Sequence, residues 1–389
     1  MIASIIINNY NYGGFLKEAI DSALNQTYPN TEVIVVDDGS TDNSKDIIAT
    51  YENRVIPVNK KNGGQGSTFN AGFEVSNGKV IYFLDSDDIL LPTAVERSIP
   101  FFNNPEVVKV HWPLWIVDKG GKKTGDIKPT KALPEGDFSD VILKGGPTSC
   151  ISSPTSGNAW DRRFLEKVFP VPEDVDYYKI CADEYLYTLA PVFGKLKKIS
   201  EPQGFYRLHG KNIYSGKSFS EKLQFELKGR EQQCSVLSKI LTKFGFSIEL
   251  ELWKKNSWFH RLDHAVKEIS SIVPEGDTFI LIDDDTWGAQ EIFSDIHAIP
   301  FIEKEGYYIG PPDDDETAIL ELERLRIIGA DFLIFGWSSF WWLEEFQIFK
   351  EYLRTKFKCV HEDDDIIVFD IHLRSFKKTR NQNRDLSNR

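Results

Sequence analysis

The chain has 389 residues, 41% hydrophobic and 13% aromatic, with four cysteines and a formal charge of −13. That length exceeds one hydrophobic core and predicts two or more domains, and the composition excludes a disordered chain. The charge is uneven: residues 274–373 hold 24 acids and 7 bases, a net of −17, while residues 374–389 hold six bases and one acid, a net of +5. An acidic body argues against nucleic acid as a partner, because a phosphate backbone needs basic surface. No apolar run approaches the roughly 18 residues of a membrane span. Met1–Ile7 reads as a strand rather than a signal peptide. Cys150, Cys181, Cys234 and Cys359 are scattered, without zinc or disulfide spacing. The expected location is cytoplasmic. The tail (Arg374, Lys377, Lys378, Arg380, Arg384, Arg389) is expected to be disordered, with peripheral contact to anionic lipid at the inner face of the membrane as the alternative use of its charge.

Strand and helix patterns alternate through the first hundred residues. Strands are expected at Ser4–Ile7, Glu32–Val36, Arg54–Val58 and Val80–Leu84; helices at Tyr12–Gln26, 42–51 (capped by Ser40 or Thr41) and 67–76. Continuous β-branched strands alternating with helices imply a mostly parallel sheet covered on both faces, with ligands beyond its carboxyl edge. Residues 101–215 loosen into a proline- and aromatic-rich, substrate-facing half. Residues 216–273 read as a helical connector, with Phe225, Leu227, Leu237, Ile240, Leu241 and Leu252 as apolar positions. A smaller α/β domain is expected over 274–373: strands 278–282, 331–335 and 366–371, helices 315–328 and 341–356.

Several segments on that edge carry chemistry. The strand 80–84 ends in Asp85, Ser86, Asp87 and Asp88; three clustered acids are costly unless a cation or hydrogen-bond donors meet them, and hard oxygens suit Mg²⁺ or Mn²⁺. The alternative is a solvated acidic turn. Asp37 and Asp38 with Gly39 follow the second strand, either accepting from a base or ribose or capping a plain turn. Tyr10 could stack on a base or pack in the core. Gly63, Gly64 and Gly66 form a loop whose N–H groups suit a diphosphate, yet the spacing matches neither a dinucleotide fingerprint nor a P-loop. In the acidic domain, Asp283–Asp285 imitates an EF-hand start, but Ser294 stands where glutamate is required. The triplets 283–285, 313–315 and 363–365 read as solvated loop tips, and Trp337, Trp341 and Trp342 as packing residues or, alternatively, a sugar-stacking platform.

The order Asn9-Tyr10-Asn11, Asp37-Asp38-Gly39-Ser40, Gly63-Gly64 with Asn70, then Asp85-Ser86-Asp87-Asp88 resembles the inverting family 2 glycosyltransferases over residues 3–100, and more loosely to about 215. The resemblance implies a GT-A fold (Rossmann-like, mostly parallel sheet), divided into a nucleotide-sugar half 1–100 and an acceptor half 101–215. It also implies a nucleotide-diphosphate-sugar donor, UDP-sugar favoured, and Mg²⁺ or Mn²⁺. Asn9, Tyr10, Asn11, Asp37, Asp38, Gly63, Gly64, Asn70, Asp85 and Ser86 are then expected on the donor, with Asp85 nearer the ribose, and Asp87 and Asp88 on the metal. Many relatives carry Arg just before the asparagine matching Asn70; here it is Phe69. Asp183-Glu184 at the start of a helix is similar to the family's acidic base segment, with Asp183 preferred and Glu184 second. Tyr206-Arg207-Leu208-His209 with Asn212 looks like a closing segment, Arg207 over the diphosphate and His209 completing the metal shell. Pro147-Thr148-Ser149 and Ser156–Trp160 resemble the acceptor side, giving Ser156, Asn158 and Trp160 as acceptor contacts. The Gln-x-x-Arg-Trp signature of processive synthases is absent, so single addition to a glycan or lipid-linked hydroxyl follows, in bacterial surface-polysaccharide assembly. Residues 312–343 resemble an accessory domain of some bacterial glycosyltransferases. Two other classes stay open: an inactive glycan-binding scaffold, and sugar-nucleotide pyrophosphorylase chemistry, which would want a basic glycine-rich loop that residues 8–16 lack. Self-association is also left open.

Overall fold

A computed structural model describes residues 1–210, 212, 217–293 and 296–373. Ser294 and the basic tail 374–389 lie outside the described residues. The chain divides into two compact units, residues 1–217 with 221–260, and residues 218–220 with 261 onward.

The first unit contains strands β1 (Ala3–Asn9), β2 (Thr31–Asp37), β3 (Ile56–Asn59), β4 (Val80–Asp85), β5 (Ile89–Leu90), β6 (Val107–His111), β7 (Leu114–Val117), β8 (Lys123–Lys128), β9 (Asn158–Asp161), β10 (Lys195–Lys198) and β11 (Gly204–Arg207). They form a seven-stranded sheet, β10-β6-β9-β4-β1-β2-β3, and a four-stranded sheet, β5-β11-β7-β8. In the larger sheet β9 runs antiparallel to both neighbours, and the remaining pairs are parallel. The central strands lack polar alternation because both faces are covered. Ile6, Ile34, Val36, Ile81 and Phe83 enter one core; Ile5, Ile7, Val33, Val35, Tyr82 and Leu84 enter the other.

Helices Gly13–Leu24, Ser44–Ala49 and Gln65–Val75 follow the first three strands, close to the expected bounds. The expected Ser40 or Thr41 cap is not formed: the Ser40 hydroxyl accepts from Asn9 and from the Asn11 N–H instead, and the helix begins only at Ser44. Gly64 precedes Gln65–Val75 at φ +84, and a Cβ there would lie 2.5 Å from the Lys179 carbonyl oxygen, so glycine alone fits this turn. Phe69 on this helix is fully buried, its ring 4.0 Å from that of Phe83 between centroids. The position where many relatives place arginine is therefore a core position here.

The segment expected as a connector holds helices Phe219–Lys243, Leu250–Asn256 and Trp258–Ile272, and its residues 221–260 belong to the first unit. Leu237, Leu241 and Trp253 enter the same core as Phe83. Arg230 lies among acids, donating to Glu184 through both terminal nitrogens and to Glu226 at 2.8 Å.

The second unit has strands β12 (Thr278–Ile282), β13 (His297–Pro300), β14 (Glu303–Lys304), β15 (Tyr307–Tyr308), β16 (Phe332–Gly336), β17 (Lys358–Glu362) and β18 (Ile366–Asp370), the main sheet being β13-β12-β16-β18-β17. The helix expected over 341–356 breaks at Phe346 into Trp342–Glu345 and Gln347–Lys356. The aspartate triplets are not merely solvated tips. Asp283 is buried and accepts from the Asp285 and Trp287 N–H groups; Asp284 receives Trp341, Trp342 and Tyr308; Asp314 caps helix Asp315–Ile327; Asp363 closes the β17–β18 turn. Trp342 is fully buried and Trp337 lies against Trp287, so these two serve packing, whereas Trp341 is exposed with its indole N–H given to Asp284.

Phe69→Ala is expected to cost about 3–5 kcal/mol, read from denaturant midpoints. Arg230→Ala leaves two largely buried carboxylates without their cation and is expected to cost roughly 3–5 kcal/mol, read as a lowered melting temperature.

Candidate active site

Strand register assembles the site. Parallel pairing sets Asn9 beside Asp37 and Asn8 beside Asp85. Both pairs are used: Asn9 Nδ2 donates to Asp37 Oδ1 at 3.1 Å, and Asn8 Nδ2 to Asp85 Oδ1 at 2.8 Å. Beyond these strand ends lies a cavity of about 520 Å³, walled by Asn8, Asn9, Tyr10, Tyr12, Asp38, Asn62, Gly64, Gln65, Thr68, Asp85, Ser86, Asp87, Lys128, Lys179, Ile180, Tyr206 and Asn212.

The acids divide by what meets them. Asp37 is buried and spent on Asn9 and the Ser40 N–H. Asp38 reaches the wall but receives Lys60 at 2.6 Å, the Gly63 N–H at 2.9 Å and the Gly64 N–H at 2.7 Å. The expectation that these glycine N–H groups cradle a diphosphate is corrected: they are already given to a carboxylate. Asn11 accepts from the Thr41 N–H at 2.7 Å and holds the loops together. Asn70 ties its helix to Val171 and Glu173, away from the cavity wall. Of the residues expected on the donor, Asn9, Tyr10, Asp38, Gly64, Asp85 and Ser86 line the cavity; Asn11, Asp37, Gly63 and Asn70 instead shape it.

The acidic turn splits in the same way. Asp85 and Asp87 line the cavity. Burial, reinforced by Asp87, pushes the Asp85 carboxyl up to about 6. Asp88 turns inward, Oδ2 accepting from Ser156 at 2.7 Å and Oδ1 from the Arg207 N–H at 3.0 Å; burial, then Asp87 and Asp85, hold its pKa well above the carboxylate range. Its expected place on a metal is thus taken by internal donors. His209 Nε2 lies 2.8 Å from Asp87 Oδ2, so the two residues expected on a metal pair with each other. Arg207 departs from expectation. Its guanidinium, 2% exposed, donates to the Asp87 carbonyl, the Lys119 carbonyl and Glu18, and it braces the turn from behind rather than facing the cavity.

Asp183 and Glu184 open the helix Ala182–Phe193 and point different ways. Glu184 enters the Arg230 pair. Asp183 Oδ2 accepts from Thr155 Oγ1 at 3.0 Å; Gln65 Nε2 lies 3.3 Å from that hydroxyl and 3.4 Å from Asp85 Oδ1, while Gln65 Oε1 accepts the Ala182 N–H at 2.7 Å. A chain of two polar side chains thus joins the acidic turn to Asp183. Burial, with Glu184 and Asp85 adding to it, raises the Asp183 carboxyl to about 7. The expected acceptor contacts are corrected: Ser156 is spent on Asp88, Asn158 Nδ2 donates to the carbonyls of Ser153, Pro154 and Thr155, and Trp160 is buried in the core.

Asn8, Tyr12, Gln65, Lys128 and Thr155 belong to the site or its support without having been given a role in the sequence, and Tyr206, quoted only as part of the closing segment, lines the cavity. Gln65 stood inside the quoted glycine loop, and Asn8 beside the asparagine–tyrosine pair. Lys128 ends an exposed, polar strand with no motif around it.

The family model described as "Glycosyl transferase family 2" matches residues 4–153. An uncharacterized glycosyltransferase of Nostoc sp., alr2836, is 35% identical over 285 residues, 70% of this chain and 87% of that protein. An uncharacterized glycosyltransferase of Rickettsia bellii is 40% identical over 136 residues, 34% of this chain and 20% of that protein. Among solved structures, S. aureus TarS 1–349 in complex with UDP is similar at 19% identity and TM-score 0.44, over 69% of this chain and 82% of that one. No helix among the described residues is long and apolar enough to cross a membrane. With the Nostoc protein matched over most of its length and the strand–acid order in place, the chain belongs to the family 2 glycosyltransferases.

Proposed function

We propose that the protein is a metal-dependent, inverting glycosyltransferase that moves a sugar from a nucleoside-diphosphate donor, a UDP-sugar in preference, to one hydroxyl of a glycan or lipid-linked acceptor. The observation that carries this reading is Asp183: a carboxyl whose pKa is lifted to about 7, linked through Thr155 and Gln65 to the acidic turn. A base works best with a pKa near the working pH. In the reaction, the acceptor oxygen bonds to the anomeric carbon as the bond from that carbon to the diphosphate oxygen breaks. Its proton passes to a carboxylate oxygen of Asp183, and the bonding pair leaves with the diphosphate. Glu184 is held by Arg230, which favours Asp183 over it for that role.

The cavity fits a divalent cation. Asp85 and Asp87 present hard oxygens, and a cation would favour the ionised form of Asp85, which burial first and the neighbouring Asp87 second disfavour. Such an ion supplies charge neutralisation for the departing diphosphate. Asp87, steadied by His209 at its side chain and Arg207 at its carbonyl, is the first ligand proposed, with Asp85 beside it. Tyr10, 45% exposed at the wall, offers a face for the base. Addition of a single sugar in surface-polysaccharide assembly, by an enzyme at the inner face of the membrane, completes the reading.

Asp183→Asn is expected to keep donor binding and to lower transfer about 10²–10⁴-fold, whereas Glu184→Gln lowers the melting temperature and retains transfer. Because Asp183 acts when deprotonated, the transfer rate should fall about tenfold per pH unit below its pKa of about 7 and level off above it, a limb that Asp183→Asn abolishes. A panel of nucleoside diphosphates with Mn²⁺ or with chelator, read by calorimetry, should show metal-dependent binding that Asp87→Asn removes; affinity unaffected by chelator would refute the metal reading.

A further inference from the structure

We propose that Lys128 binds the diphosphate: its ammonium, presented by β8 over the Tyr206 ring, receives the charge of the departing nucleoside diphosphate. This rests on the donor reading given above.

The charged groups on the cavity wall are Asp38, Asp85, Asp87, Lys128 and Lys179. Asp38 is met by Lys60 and two glycine N–H groups, and Lys179 pairs with Asp176 at 2.9 Å. Arg207, the residue the motif order assigned to the diphosphate, is turned away into the Asp87 carbonyl, the Lys119 carbonyl and Glu18. That leaves Lys128 as the cation for a substrate anion among the described residues of the wall. Its Nζ lies 4.3 Å from the centroid of Tyr206, which lines the same cavity. A ring face attracts an ammonium without neutralising it. Burial of part of its length moves the Lys128 ammonium below its usual pKa, with Asp88 and Asp183 opposing the shift, while the residue itself stays exposed to solvent. The pairing of Leu114 with Lys128 in the β7–β8 ladder fixes where its backbone stands.

The reaction brings an anion to such a cation. As the anomeric carbon–oxygen bond breaks, the electron pair stays on the diphosphate oxygen, and a preplaced positive charge stabilises it most when water is excluded. Lysine serves phosphate as a point charge and needs no bidentate geometry. An acceptor carrying its own anionic group is the other source of the same chemistry, and the test separates the two.

The full chain, Lys128→Gln and Lys128→Arg are titrated with UDP and GDP, and with uridine and guanosine, in the presence of Mn²⁺. Lys128→Gln should weaken the diphosphates on the order of tenfold and leave the nucleosides unchanged, with Lys128→Arg keeping most of the affinity. Unliganded Lys128→Gln should melt close to wild type, since Lys128 is an exposed residue. Equal diphosphate affinity in wild type and Lys128→Gln overturns the assignment and leaves the donor reading intact. Equal weakening of nucleoside and diphosphate, or a change confined to the acceptor KM, also overturns it. Failure of wild type to bind any nucleoside diphosphate with metal overturns the donor reading and this assignment together.

Discussion

Asp37, Asp38, Asp85, Asp87, Asp88 and Asp183 converge around the carboxyl ends of β1, β2 and β4. Taking like charges out of water is costly unless each finds a donor or a cation. Much of the surrounding structure answers that requirement. Asp37 takes Asn9 and a backbone N–H; Asp38 takes Lys60 and two glycine N–H groups; Asp88 takes Ser156 and the Arg207 N–H. What remains incompletely met at the wall is Asp85 and Asp87, and beyond them Asp183. The scaffold thus sorts the carboxylates into those held by several internal donors and those held by neutral side chains beside the cavity.

That division explains the second, four-stranded sheet. Pairing of β11 with β7 sets Arg207 beside Val117, where its side chain anchors the Asp87 carbonyl and its backbone anchors Asp88. Pairing of β7 with β8 brings Lys128 to the opposite wall. The helix Phe219–Lys243 plays a comparable part at the base. By holding Glu184, Arg230 separates two adjacent acids, so that one is an ion-pair partner in the interior while the other is raised toward neutrality by burial.

Much of this edge was legible along the chain. The unbroken strands β1, β2 and β4, the acids that end them, the Asp183 helix start and the His209 segment each have a local signal: a β-branched run, an abrupt charge, an acid before an apolar helix. Misplaced residues share a different property. Asn70, Asp88, Ser156, Asn158 and Arg207 are polar residues beside motifs, and polarity alone does not tell a ligand contact from a buried brace. Only the location of their partners does, and those lie 3 to 189 residues away. In the second unit, β17 escaped notice for a related reason. It is an edge strand whose residues alternate between exposed and half-buried, so its sequence carries little hydrophobic signal.

The sequence by itself determined the parallel-rich α/β architecture, the edge where chemistry gathers and the acids that gather there, because covered strands and abrupt charge at their ends are local patterns. Tertiary structure alone decided which acids are braces and which face the cavity, that Asp183 rather than Glu184 is linked through Thr155 and Gln65 to the acidic turn, and that Lys128 rather than Arg207 stands on the cavity wall. Those outcomes depend on strand register and on donors from distant segments, and side-chain direction across such distances is set by packing, not by neighbours in the chain.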